Sequence, residues 1–108
     1  MVMGIAVAFL GCAQRSSYPV GTVIDFTMLC AQHLWSGPAD APPDLREAFC
    51  ACVLKGSQAR YDVEEFDRIW QSLVRGGYHA DVAGVPPGFA DILSRCRSEL
   101  DRGTLRVQ

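Results

Sequence analysis

Lysine is nearly missing from this chain. Lys55 stands alone among ten basic residues, the rest being arginine, and these are interspersed with twelve acids for a formal charge of −2. So even a balance, with no basic stripe, excludes the electrostatic footprint that nucleic-acid binding requires. Long apolar runs are lacking too. The apolar stretch at residues 5–10 falls far short of the about 20 residues that span a bilayer, so a permanent transmembrane helix is not expected. No segment alternates with period two, which argues against a sheet, and none repeats. There is no glycine-rich phosphate loop and no serine-nucleophile motif. Glu64, Glu65 and Asp67 crowd together, but at the start of an expected helix, where the helix dipole favours acids. On this reading the chain has no catalytic residue, no metal and no cofactor.

Cysteine, by contrast, is abundant. Five in 108 residues is dense for a cytosolic protein and ordinary for an exported one. The length supports one domain, and an apolar content of 49% suits a globular one.

Residues 1–11 read MVMGIAVAFLG, without a charge, and Cys12 follows, leading into Ala13-Gln14-Arg15-Ser16-Ser17. This arrangement resembles a bacterial lipoprotein signal, in which an apolar core ends in a small residue and a cysteine. The resemblance implies cleavage before Cys12, acylation of Cys12 with palmitate-like chains, and a lipid anchor on the periplasmic face of a membrane. One acyl chain holds a protein only marginally, so stable anchoring uses several. Phe9 and Leu10 depart from the pattern, which favours Leu and then a small or β-branched residue. The stretch before the apolar core is very short and carries no positive charge, and a start upstream of Met1 would account for both of these. The rival readings are an ordinary signal peptide and a buried strand or helix turn within the domain. Setting Cys12 aside leaves Cys30, Cys50, Cys52 and Cys96, the even number that an oxidising compartment leads one to expect.

Four helices are expected. The first runs from Val23 to about Trp35, with Thr22 as N-cap and Val23, Phe26, Cys30 and Leu34 facing inward. Ser36 to Pro43 then forms a surface loop. The second begins after Asp44 with Glu47 three residues on, and Leu45, Ala48, Phe49, Cys52 and Val53 supply its inward stripe. It continues past Gly56 to Arg60. The third has the clearest start, with Asp62 and Glu65 as a capping box and Tyr61 stapled against Phe66. Its apolar face is Phe66, Ile69, Trp70, Leu73 and Val74, and Gly76-Gly77 end it. After a loop from Tyr78 to Pro87, the fourth runs from about Gly88 to Arg102, with Phe89, Ile92, Leu93, Cys96 and Leu100 inward. The expected organisation is a signal segment over 1–11, a tether over 12–21, a disulfide-stapled helical domain over 22–103 and a frayed tail over 104–108.

Cys50-Ala51-Cys52 is the feature that invites a functional story. Residues two apart on a helix point about 200° from one another, so each sulfur reaches a different neighbouring helix. Of three connectivities this disfavours Cys50–Cys52 with Cys30–Cys96. Cys30–Cys50 with Cys52–Cys96 is preferred, with the swapped pairing as the alternative. Cys52 is expected well inside the apolar stripe and Cys50 at its margin. A redox site would want an exposed, low-pKa cysteine, and zinc sites typically use cysteines spaced by two to four residues. His33 is read as a half-exposed helix residue, and Trp35 and Trp70 as core or core-edge. Tyr78 and His79, in the loop before the last helix, are the candidate recognition residues, because loops on rigid scaffolds often carry binding.

The run Phe49-Cys50-Ala51-Cys52, then Tyr61, Glu64-Glu65-Phe66 and a late Cys96, is similar to a loose group of small exported bacterial proteins with a Cys-X-Cys helix, most of them uncharacterised. Over about residues 23–100 the resemblance implies a disulfide-bonded helical fold and supplies no activity. A more distant likeness, carried by Cys30 and the helix bearing Cys50 and Gly56, is to the helical periplasmic immunity proteins of type VI secretion. The expectation is therefore an all-α four-helix bundle stapled by two disulfides. In function it is expected to be a non-enzymatic envelope lipoprotein domain that binds or assembles with a protein partner in the envelope. The alternatives are an immunity or inhibitor protein against a secreted toxin, and a thiol oxidoreductase using Cys50-Ala51-Cys52.

Overall fold

The structure, a computed structural model, describes residues 18–35, 37–79 and 81–103. Cys12, the signal segment and residues 104–108 lie outside the described residues. The elements are α1 (Val20–Leu29) with a π-helical turn (Cys30–Leu34), α2 (Pro43–Arg60), α3 (Val63–Arg75) and α4 (Pro87–Asp101). Among the described residues the fold is all-helical, with no strand.

α1 starts earlier than expected, within the stretch assigned to the tether, and its N-cap is Pro19, with no side-chain cap. Thr22 therefore lies inside the helix. The far end departs from α-geometry for a reason that the apolar spacing supplies. Residues four apart on an α-helix drift by about 40°, so Phe26, Cys30 and Leu34 would fan across about 80°. The wider π turn over Cys30–Leu34 turns less per residue and brings Leu34 back towards the line of Phe26. All three are buried.

Both Pro-Pro pairs sit at helix starts. Pro42 and Pro86 are N-caps, and Pro43 and Pro87 are the first helical residues, where the missing N–H would be unpaired in any case and φ is already set. The Asp44–Glu47 capping expected for α2 is accordingly not used. Asp44 lies in the first turn, where its charge favours the helix dipole. The Asp62 box of α3 forms as expected, with Glu65 N–H donating to Asp62 Oδ1 at 2.8 Å and Asp62 N–H to Glu65 Oε1 at 3.3 Å.

α2 is the central rod, in contact with α1, the π turn and α4. Its inward face is Phe49, Cys50, Val53 and Ser57, rotated by roughly 90°, about one residue's worth of turn, from the expected stripe. Cys50 is fully buried and Cys52 only half-buried, the reverse of the expectation. Two bridges staple the rod, Cys30–Cys50 on the α1 side and Cys52–Cys96 on the α4 side. α4 runs antiparallel to α2 along three rungs one helical turn apart. These are the Cys52–Cys96 bond, the contact of Gly56 with Ile92, and Arg60 Nη1 donating to the Gly88 carbonyl at 3.3 Å. Gly56 explains why α2 tolerates glycine in its interior. A Cβ there would meet Ile92 Cγ2 at 3.0 Å, so glycine is what lets α4 approach.

α3 closes the core with Phe66, Ile69 and Leu73, while Val74, expected inward, is 45% exposed. Phe66 and Trp70 meet Phe26 edge-on, with ring centroids 5.4 and 5.2 Å apart. Tyr18 latches the N-terminal end. Its ring packs on Phe66 at 4.9 Å, and its hydroxyl shares one proton between the Ser57 carbonyl at 3.0 Å and the Tyr61 carbonyl at 2.8 Å. The Tyr61 carbonyl, at the C-cap of α2, has no partner within the helix, whereas the Ser57 carbonyl also accepts from Tyr61 N–H at 2.8 Å. Burial, with the carboxylates of Asp62, Glu65 and Asp67 adding to it, pushes the Tyr18 hydroxyl up to about 12. Every buried side-chain polar atom among the described residues has a partner.

Candidate functional site

α3 ends in a Schellman motif that aims Tyr78. Gly77 takes φ +75°, Tyr78 N–H donates to the Leu73 carbonyl at 2.7 Å, and Gly77 N–H donates to the Val74 carbonyl at 3.4 Å. Tyr78 is itself left-handed at φ +69°, the only non-glycine so placed among the described residues. Such a conformation costs about 1–2 kcal/mol for an L-residue and persists only where the surroundings impose it. Here they do. The ring lies flat on His33, centroids 4.1 Å apart and planes 5° from parallel, and its other neighbour is Trp70, edge-on at 5.9 Å.

His33 and Tyr78 form one side of a cleft of about 470 Å³. Phe49, Leu34 and Leu93 supply apolar lining, and Ser94, Arg97 and Ser98 come from one face of α4. Trp35 completes it, edge-on to Phe49 at 5.7 Å and donating its indole N–H to the Pro38 carbonyl at 2.9 Å. Arg97 lies over the Trp35 ring at 5.3 Å and pairs with Asp101 at 3.2 Å. The π turn helps to build the site, since it carries His33 and Leu34 and releases the chain into extended backbone at Trp35. Among the described residues its lining includes one imidazole, His33, one guanidinium, Arg97, and no carboxylate.

Aromatic contacts link this cleft to the other end of the domain. From His33 they pass to Tyr78, Trp70, Phe26, Phe66 and Tyr18 in turn. Cleft and latch therefore rest on one packed set of rings.

Of the two candidate recognition residues, the structure brings Tyr78 to the cleft and leaves His79 exposed, outside its lining. His33 takes the place expected for His79. No local pattern in the sequence marks His33, because its partner Tyr78 is 45 positions away. Cys50 and Cys52 are bonded to Cys30 and Cys96, not to each other. Among the described residues no three His, Cys, Asp or Glu side chains are grouped to hold a metal. Glu65 serves the α3 cap, its carboxylate accepting from Asp62 N–H and its own N–H donating to Asp62 Oδ1. What the cleft offers chemically is flat aromatic surface, apolar depth, the hydroxyls of Tyr78, Ser94 and Ser98, and a guanidinium, a set suited to holding a side chain or chain end of another molecule. No family model, curated protein or solved structure matches the chain.

Proposed function

We propose that this chain is a non-enzymatic lipoprotein domain of a bacterial cell envelope, tethered through Cys12, that uses the Tyr78 cleft to bind or assemble with a protein partner. The observation that carries the compartment is the use of cysteine. Once Cys12 is assigned to lipid, the other four are all consumed in cross-helix bridges, Cys30–Cys50 and Cys52–Cys96. Among the described residues no helix is long and apolar enough to cross a membrane; in this proposal the acyl chains on Cys12 supply the attachment. The binding role draws on the cleft, where Tyr78, Trp35 and Arg97 are of the residue types that dominate protein interfaces.

Intact mass of the protein from the native envelope tests the tether. The expected species begins at acylated Cys12 and lacks the four hydrogens that two disulfides remove. An unmodified Met1 start would refute it. Photo-crosslinking from position 78 in intact cells tests the cleft, the expected result being one discrete adduct that Arg97→Ala abolishes. An adduct that proves to be a toxin encoded beside this chain, in stoichiometric complex, would replace the assembly reading with the inhibitor one. Free, reversibly oxidised thiols at Cys50 and Cys52 in native material would favour the oxidoreductase instead.

A further inference from the structure

The outward face of α1 carries Val20, Ile24 and Met28, which are 73%, 55% and 55% exposed. Standing four residues apart, they form one row along the helix. Exposed apolar residues scattered singly need no explanation, but three successive members of one row do. Core packing makes little use of them, since α1 turns Phe26 and the π turn Cys30 and Leu34 inward. The row also carries no charge. The only ionisable residue of α1 is Asp25, about 100° round the axis from Ile24, and no Lys or Arg occurs between Arg15 and Arg46.

We propose that this row rests in the interfacial layer of the membrane to which Cys12 is acylated, so that α1 lies along the lipid surface. The inference rests on the lipoprotein reading above. Chain length is what carries it. Tyr18 is pinned to the domain by its ring contact with Phe66 and by its hydroxyl on the Ser57 and Tyr61 carbonyls. The six steps of chain from Cys12 to Tyr18 reach at most about 20 Å when fully extended. Val20 follows two residues later. An acylated Cys12 therefore holds the start of the row within a short reach of the lipid, and the bilayer is the apolar phase presented at the highest effective concentration. Three side chains are too few to recruit a free protein to a membrane, and enough to orient one already tethered. Without Lys or Arg the contact is apolar, so it does not need anionic lipid as a basic amphipathic helix does.

The test uses the full chain, exported and purified from envelopes with its acylation verified by intact mass, then reconstituted in phosphatidylcholine vesicles with brominated acyl chains. Tryptophan placed in the row, as Ile24→Trp and separately as Met28→Trp, reports burial in lipid by bromine quenching. Asp91→Trp, on the exposed side of α4, is the reference, and the signal of Trp35 and Trp70 is subtracted with the unsubstituted chain. Quenching at 24 and 28 is expected to exceed that at 91 by about threefold or more, and to stay unchanged when phosphatidylglycerol replaces part of the phosphatidylcholine. An acylated chain quenched equally at 24, 28 and 91 would overturn the docking and leave the tether standing. So would row quenching that appears only with phosphatidylglycerol. A Cys12→Ser chain whose position-24 tryptophan is already buried in vesicle-free buffer would also overturn it, pointing to a second copy or to residues 5–10 as the occupant. A mass without acyl chains would remove the tether, and this inference with it.

Discussion

The two disulfides should differ in what they contribute, and the structure says why. Cys52–Cys96 closes a sequence separation of 44 and Cys30–Cys50 one of 20. Chain entropy alone then gives about 4 kcal/mol for the first and about 3 for the second. Burial works the other way. Cys30 and Cys50 are both 0% exposed, whereas in the other pair Cys96 is 3% exposed and Cys52 only half-buried, so replacing the Cys30–Cys50 pair by alanine empties more space in the core. That adds about 1–2 kcal/mol and brings the loss to about 4–5. The pair Cys30→Ala/Cys50→Ala should therefore destabilise at least as much as Cys52→Ala/Cys96→Ala, against the order of loop lengths. The assay is urea unfolding of the exported chain carrying Cys12→Ser, followed by circular dichroism, with the parent and both pairs compared by linear extrapolation. Reduction of the parent separates the two effects, because it cuts both crosslinks and leaves the sulfur atoms in place. A domain of this size has about 5–10 kcal/mol in total, so the reduced parent should lie near its unfolding midpoint without denaturant. A clearly larger loss for Cys52→Ala/Cys96→Ala, an alanine pair within about 1 kcal/mol of the parent, or a reduced parent with a full cooperative transition would each contradict this account.

Gly56→Ala should destabilise by about 1 kcal/mol even though alanine is the better helix former, because the new Cβ meets Ile92 Cγ2 at 3.0 Å and must displace a side chain that is 1% exposed and packed between α2 and α4. The double variant Gly56→Ala/Ile92→Ala should lose less than the two single losses together, and simple additivity would refute the packing account. Tyr18 gives a pH dependence of known sign. Its hydroxyl is pushed up to about 12 in the fold, while in the unfolded chain it titrates near 10. Between those values the unfolded chain holds fewer protons, so this contribution is complete below about pH 10 and is lost as pH rises towards 12. Its size is roughly 2 kcal/mol, and Tyr18→Phe should flatten the fall in urea midpoint between about pH 9 and about pH 11. An unchanged fall in the variant would place the alkaline sensitivity elsewhere.

Much of the helical framework was legible in the residues, because it depends on local chemistry. The Asp62–Glu65 box, the Gly76-Gly77 stop and the apolar spacing of α4 each act within a turn or two of chain. The misjudged starts of α1 and α2 have a common cause. Thr22 and Asp44 offered capping side chains, but Pro19, Pro42 and Pro43 preset the backbone a step or more earlier. The rotation of α2's inward face, which exchanged the burial of Cys50 and Cys52, depends on which neighbours the rod has on each side. Periodicity gives the width of a stripe more reliably than its centre when small residues such as Ala48 and Cys50 flank it.

The cleft was only half legible. Tyr78 could be suspected from its place after two glycines, yet nothing local pairs it with His33, or Trp35 with Arg97. The all-helical class, the positions of most helix ends and the surplus of cysteines that calls for staples follow from the residues alone, since each depends on dihedral preference, capping or side-chain chemistry along a short stretch. How deeply each sulfur is buried, why Gly56 is needed, and which rings stack beside the Tyr78 cleft could be read only from the folded molecule. Those depend on how close separate helices come, and that distance is set by all the side chains between them at once.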